Sequence, residues 1–417
     1  MRWRARRVAA MAVAAACVLS FAACSQDDDS GGSAAENGTK ASGDAIKIGL
    51  FNPSLGAVPQ PGVTVGKNAA VDYINNQIGG INGRPIEIVD CGIDQASPES
   101  TSACATQFQE QGVVAAIDAY STQSAAALKT LTAAGIPLVG QIPFNLTTGA
   151  QTANRVYFGP PPAAFLVGFM QQLKAAGKTS LKLANADLPE AHVVFDQLLK
   201  PMGALLGIKV DAIYYPATGP NFTQLASTLA DGNPAATGLM TSPMDSTCTK
   251  LAESLRSINY KGTIFLAACT DFISELGDQA VGAQTYSPIW QPPSADSAPE
   301  PAKTNLATAQ KFIDNQEGNA GFYGYGTFSI LADFANILNA AKVTDITGPV
   351  VLTALKAVKD YQSFLGPKLA NCGKATSPNC TTEMLLFDVV ANNKTQPVTG
   401  GFITPLPAAL AKIPGAA

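Results

Sequence analysis

The chain has 417 residues, 47% of them hydrophobic, with 27 Lys and Arg against 31 Asp and Glu and a formal charge of −4. That balance speaks against a nucleic-acid partner, which is normally met by a basic patch. The length exceeds what a single core organises, so two lobes are expected, and the apolar content is enough to fill them.

The first 23 residues stand outside the expected fold. Arg2, Arg4, Arg6 and Arg7 form a positive head, and Val8–Phe21 is apolar but short for a membrane span. Phe21-Ala22-Ala23-Cys24 resembles the lipobox of bacterial lipoproteins, where cleavage leaves the cysteine to carry lipid; an ordinary secretory peptide is the alternative. Without residues 1–23, 23 basic residues face 31 acidic ones, a charge of −8. Ser25–Asp44, rich in Ser, Gly and Asp, reads as a disordered tether.

The fold opens with Ile46–Phe51, a β-branched apolar run that predicts a buried strand. A Gly- and Pro-rich loop follows, Asn52–Gly62, with Gln60 as its candidate contact. Val63–Ile78 has helical spacing, with Ala70, Ile74 and Ile78 on one face, and Gly79-Gly80 ends it. Asn82-Gly83 turns the chain into a second strand, Pro85–Asp90. A strand, a helix and a strand at this spacing make a parallel βαβ unit. Ligands in such sheets sit beyond the carboxyl ends of the strands, which places the Gln60 loop on a binding edge.

The runs IKIGLFNPSLG and AAVDYINNQIGGINGRPIEIVD resemble the opening of type I periplasmic binding proteins, in the leucine/isoleucine/valine-binding group of ABC-importer receptors. The similarity extends, more weakly, over about 45–405. Strands and helices continue to alternate. Pro98–Gln111 is a predicted helix and Val113–Ile117 a strand, followed by the loop Asp118–Gln123. Ser124–Ala134 is a helix, Ile136–Gly140 a strand, and Gln141–Thr148 a loop. A second series follows Gly159-Pro160-Pro161-Pro162. Its helices are 163–176, 189–206, 222–230 and 247–258; its strands are 181–184, 208–215, 237–241 and 263–268. Helices at 303–315, 326–342 and 350–358 and a strand at 384–390 complete the chain. This alternation predicts an α/β fold of doubly wound parallel sheets. The resemblance implies two such lobes joined by three crossovers, lobe I being 45–157 plus 288–365 and lobe II 158–287 plus 366–405.

Six cysteines remain beyond Cys17 and Cys24, and an even number in an exported chain favours disulfides. Fifteen pairings are possible; chain order suggests Cys91–Cys104, Cys248–Cys269 and Cys372–Cys380. There is no CxxC pair, and His192 is the sole histidine, so neither a metal nor another cofactor is expected.

Tyr120, Ser121 and Thr122 stand at a strand end before a helix, where hydroxyls and N–H groups either cap the helix or meet a ligand. The matching family loop grips an amino-acid carboxylate. The next family contact falls on Gln141 and Phe144, the latter either a stacking wall or hinge packing. From the second lobe, Asp187, Met244, Asp245, Thr270 and Asp271 stand at strand ends; Asp245 and Asp271 are equally placed to cap helices. Tyr325 matches a family tyrosine near the cleft, or is core. The family's usual tyrosine and acid for an ammonium group have no obvious counterparts.

No GxSxG elbow or GxxxxGK[ST] loop is present, which leaves an enzyme without its usual groups. The resemblance implies an extracytoplasmic, monomeric solute-binding receptor, held on the outer face of the membrane by lipidated Cys24. It would deliver a small molecule to ABC permease subunits by hinge closure. A ligand sensor of the same fold and an extracellular enzyme are the alternatives.

Overall fold

The computed structural model describes residues 38–413, apart from 188, 217, 241–244 and 268. Two sheets organise them. The first is wholly parallel, in the order β2-β1-β3-β4-β5. Its strands are β1 (Ile46–Leu55), β2 (Ile86–Asp94), β3 (Ala116–Asp118), β4 (Leu138–Gly140) and β5 (Arg155–Tyr157). The second sheet has the order β14-β13-β10-β9-β8-β6-β7. Its parallel part is β6 (Ser180–Ala186), β7 (Lys209–Tyr215), β8 (Ala236–Leu239), β9 (Thr263–Leu266) and β10 (Ala283–Ser287). The two added strands, β13 (Leu385–Val390) and β14 (Lys394–Pro397), are antiparallel. A separate ribbon pairs β11 (Lys359–Gln362) with β12 (Lys368–Asn371).

The helices start and stop for local reasons. Pro61 opens the first helix, Pro61–Asn76, where its missing N–H costs nothing. Ser97 caps Pro98–Gln111 by accepting from Ser100 N–H at 3.4 Å, and left-handed Gly112 ends it. The long helix Gly321–Ala340 is apolar on almost every side and is correspondingly buried. It runs directly against the first helix. A Cβ on Gly66 would overlap the Gly324 carbonyl oxygen, and one on Gly62 the Ala320 oxygen, so these glycines set the helix–helix distance. This contact fixes the long helix against the first helix.

Two expected boundaries differ. Within the expected tether, Thr39 N–H bonds Gln77 O at 3.0 Å, Ala41 N–H bonds Asn75 O at 2.8 Å and Ser42 N–H bonds Gly83 O at 2.9 Å. These residues lie as a strap on two carbonyls that the first helix's end leaves open, Asn75 and Gln77, and on that of Gly83 in the turn after it. Secondly, the stretch after 365 stays at the first sheet before reaching β13. Tyr157 N–H bonds Pro378 O at 2.9 Å and Cys380 N–H bonds Tyr157 O at 2.8 Å, while Asn379 Nδ2 donates to Gly159 O at 2.8 Å.

Disulfides join Cys91 to Cys104, Cys248 to Cys269 and Cys372 to Cys380, with Cα separations of 5.7, 6.5 and 4.0 Å. Among the described residues no helix is long and apolar enough to cross a membrane. Cys24 lies outside them.

Candidate functional site

The carboxyl ends of β3 and β4 carry the loops expected to meet a ligand. Tyr120 has φ 68°, a left-handed conformation uncommon for a bulky residue. Its ring is fully buried against Phe144, Phe322 and Tyr323, at centroid distances of 5.5, 5.6 and 5.2 Å. It is therefore a wedge between the loop and the long helix, and burial raises its pKa. Phe144 packs on this cluster while remaining partly exposed.

The loop's polar groups are engaged internally. Ser121 N–H donates to Asp118 Oδ1 at 2.8 Å, and Gln123 N–H to Ser121 Oγ at 3.1 Å. Thr122 N–H donates to Gln95 Oε1 at 2.9 Å, and Thr122 Oγ1 to Gln95 O at 2.8 Å. Asp118 is fully buried and also accepts from Tyr157 Oη at 2.7 Å. Burial pushes its carboxyl up to about 6, against the opposing pull of hydrogen bonds from Tyr157, Ser121 and Ser124.

Gln141 directly follows β4. It is fully buried beside Gly159 and Gly366, and neither atom of its amide has a protein partner. Gln60 precedes the first helix, half-exposed, its N–H on Pro53 O at 2.7 Å. On the second lobe, Asp187 is exposed and lies 2.7 Å from His192 Nε2; the imidazole stacks on Tyr214 at 3.8 Å. Met244 lies outside the described residues, and Asp245 begins the helix Asp245–Ser257.

Three expected residues do come together. Thr270, Asp271 and Tyr325 line one cavity of about 250 Å³, with Gln291, Asn319 and Asn393. It lies between the loop after β9, the second crossover and the first turn of the long helix. Burial, and then Glu275, raise the Asp271 pKa. Tyr325 donates its hydroxyl to Gln310 Oε1, and burial raises its pKa as well. Gln291 is 4% exposed, and its Nε2 has no protein partner. Among the residues lining this cavity, Asp271 alone carries a charge. Among the described residues no cluster of three or more His, Cys, Asp or Glu could hold a metal.

Two α/β sheets with such a cavity among the elements that join them recur in proteins that bind small molecules. A family model described as periplasmic binding protein matches residues 45–393. The chain belongs to that family. No curated protein matches it. Solved structures share the fold at low identity. An extracellular ligand-binding receptor from Rhodopseudomonas palustris is 17% identical, with TM-score 0.68 over 85% of this chain and 100% of that one. A leucine binding protein from Thermotoga maritima is 13% identical, with TM-score 0.67 over 87% and 99%. An ABC transporter solute binding protein from R. palustris, in complex with benzoate, is 15% identical, with TM-score 0.68 over 87% and 97%.

In this periplasmic binding protein the sequence reading missed Gln95, Asp118, Gln291 and Asp333. Asp333, fully buried in the long helix, accepts from Ser363 Oγ at 2.6 Å, Phe364 N–H at 2.7 Å and Tyr361 Oη at 3.2 Å. It pins the segment beside the hinge, where Trp290 N–H bonds Leu365 O at 2.9 Å. Burial pushes its carboxyl up to about 7. The only available signal was an acid inside an apolar helix, since buried charges are rare unless hydrogen-bonded.

Proposed function

We propose that this chain is an extracytoplasmic receptor that captures a small organic solute between its lobes and delivers it to an ABC importer. The observation that carries the reading is the cavity formed by the β9 loop, the second crossover and the long helix. A volume of 250 Å³ corresponds to about eight waters at liquid density, room for a small metabolite. Its walls come from elements on both sides of the hinge, so lobe motion changes its shape. Ligand shifts that motion only by binding one arrangement more tightly than another. Lipid on Cys24 and the tether after it would keep the receptor at the membrane, and ATP hydrolysis would belong to another chain. The unlike neighbours, one named for leucine and one holding benzoate, support small organic solutes as the class without choosing among them.

The test is a thermal-shift screen against small metabolites, with the compound recovered and analysed afterwards. Solute at 100 times its dissociation constant should add about 2.7 kcal/mol of stability. A saturable shift with the compound unchanged supports the receptor. Chemical conversion of the compound would sink it in favour of an enzyme.

A further inference from the structure

The loop 120–123 stands at the carboxyl edge of the first sheet, where main-chain N–H groups and hydroxyls could receive an anion. The main-chain N–H groups of Ser121, Thr122 and Gln123 and the Thr122 hydroxyl already have acceptors within the protein, and the unpartnered Tyr120 hydroxyl is buried against Gly326 of the long helix. Ser121 N–H is held by the Asp118 carboxylate, and Gln123 N–H by Ser121 Oγ. Thr122 is held by Gln95, whose side-chain amide reaches across 27 residues of sequence. Gln95 Oε1 accepts from Thr122 N–H at 2.9 Å and from Thr122 Oγ1 at 3.0 Å, while its Nε2 donates to Tyr120 O at 3.1 Å. Its main-chain oxygen takes Thr122 Oγ1 at 2.8 Å and Gln123 Nε2 at 3.0 Å. A planar amide oxygen thus stands where a carboxylate oxygen would stand. Behind the loop lies Asp118, fully buried, whose negative form repels a second anion. The cavity on the other side of the long helix's first turn offers Asp271 as its one charged wall and no cation among its lining residues.

We infer that Gln95 is a built-in plug that closes the 120–123 loop to carboxylates, so the solute of this receptor is a small amine without a carboxylate. The inference rests on the receptor reading above and narrows it. Gln95 is a specificity-determining residue: it competes for the loop donors at an effective concentration that a free carboxylate does not match. An ammonium group, by contrast, meets Asp271 and the wall of Tyr325, a pairing of charge and aromatic ring that suits cations.

The experiment compares the full chain with Gln95→Ala, and with Gln95→Ser as a second variant whose side chain is too short to reach Thr122. Each is titrated with choline, putrescine, L-leucine and benzoate, and melting temperature and calorimetric affinity are read. The expected result is saturable binding of an amine and no response to leucine or benzoate in the parent. Either variant, once folded, should gain carboxylate binding by roughly tenfold to a hundredfold, the worth of one or two hydrogen bonds to a charged group. Asp271→Asn should abolish the amine response and leave the carboxylate gain in place. Saturable leucine or benzoate binding by the parent overturns the inference and leaves the receptor standing. Folded variants that gain no carboxylate binding overturn it too. Silence of the parent and the variants to all four probes counts against the receptor reading itself.

Discussion

Replacing Gly326 with alanine should cost the protein about 1–3 kcal/mol, and the loss should depend on one distant hydroxyl. A Cβ built on Gly326 overlaps Tyr120 Oη outright and lies 2.8 Å from Cζ and 3.1 Å from Cε2. The ring has little room to retreat, with Phe144, Phe322 and Tyr323 around it and the Tyr120 backbone already left-handed. The hydroxyl itself is buried and has no protein partner, so Tyr120→Phe alone removes an unsatisfied group. That change should be neutral or stabilising by about 1 kcal/mol. In the double variant the overlapping atom is gone and the tightest contact relaxes to 2.8 Å. The two changes should therefore couple by at least about 1 kcal/mol in the rescuing direction. Urea denaturation of the four proteins, followed by circular dichroism, measures the cycle. Additive losses would refute the reasoning, because they would mean that the alanine strains something other than Tyr120.

Three further outcomes follow from the same packing. Asp333 and Asp118, raised to about 7 and about 6 from 3.8, stabilise the fold fully below pH 4 and lose that contribution as pH rises through 6 and 7. Stability, followed as melting temperature, should fall between about pH 4 and pH 7 on their account, with a free-energy slope of at most about 1.4 kcal/mol per pH unit for each group, and Asp333→Asn should flatten part of it. A scan in which that substitution leaves the pH dependence unchanged would contradict this. Gly66→Ala, which meets the main chain of Gly324 rather than a movable side chain, should destabilise by about 2 kcal/mol or more, measured by thermal melt. Trp290 is buried at the second crossover between Phe387 and Phe402, and Trp3 is the only other tryptophan in the sequence. Its emission should change saturably with ligand; a thermal shift with unaltered emission would place lobe motion away from that crossover.

The alternating strands and helices of the first lobe were legible because each is local: β1, the first helix and β2 follow from spacing, Gly79-Gly80 and Asn82-Gly83. The three-residue strand β5 was not, since Arg155–Tyr157 carries no periodicity and is defined by its neighbour β4. The carboxyl-edge rule pointed to Thr270 and Asp271, which line one cavity, and to Asp187, which pairs with His192. The residues 120–123 were singled out by position, but the N–H groups of Ser121 and Thr122 are taken by Asp118 and Gln95, and that of Gln123 by Ser121. Gln95 is invisible in sequence because its contacts cross from one strand-end loop to another. Gln141 likewise turned toward the hinge glycines, a direction that strand position alone does not set.

The strap at residues 38–42 decides where a pull from upstream enters the molecule. Its bonds to Asn75, Gln77 and Gly83 lie at the end of the first sheet where β1 and β2 begin, remote from the loops at their carboxyl ends. Thr39 bridges Ile78 in parallel register, so a stretching load is shared by several bonds in shear instead of peeling them singly. The force passes into one lobe and bypasses the crossovers. On the receptor reading proposed above, the other lobe would bear no tension and would be free to swing while its partner is held.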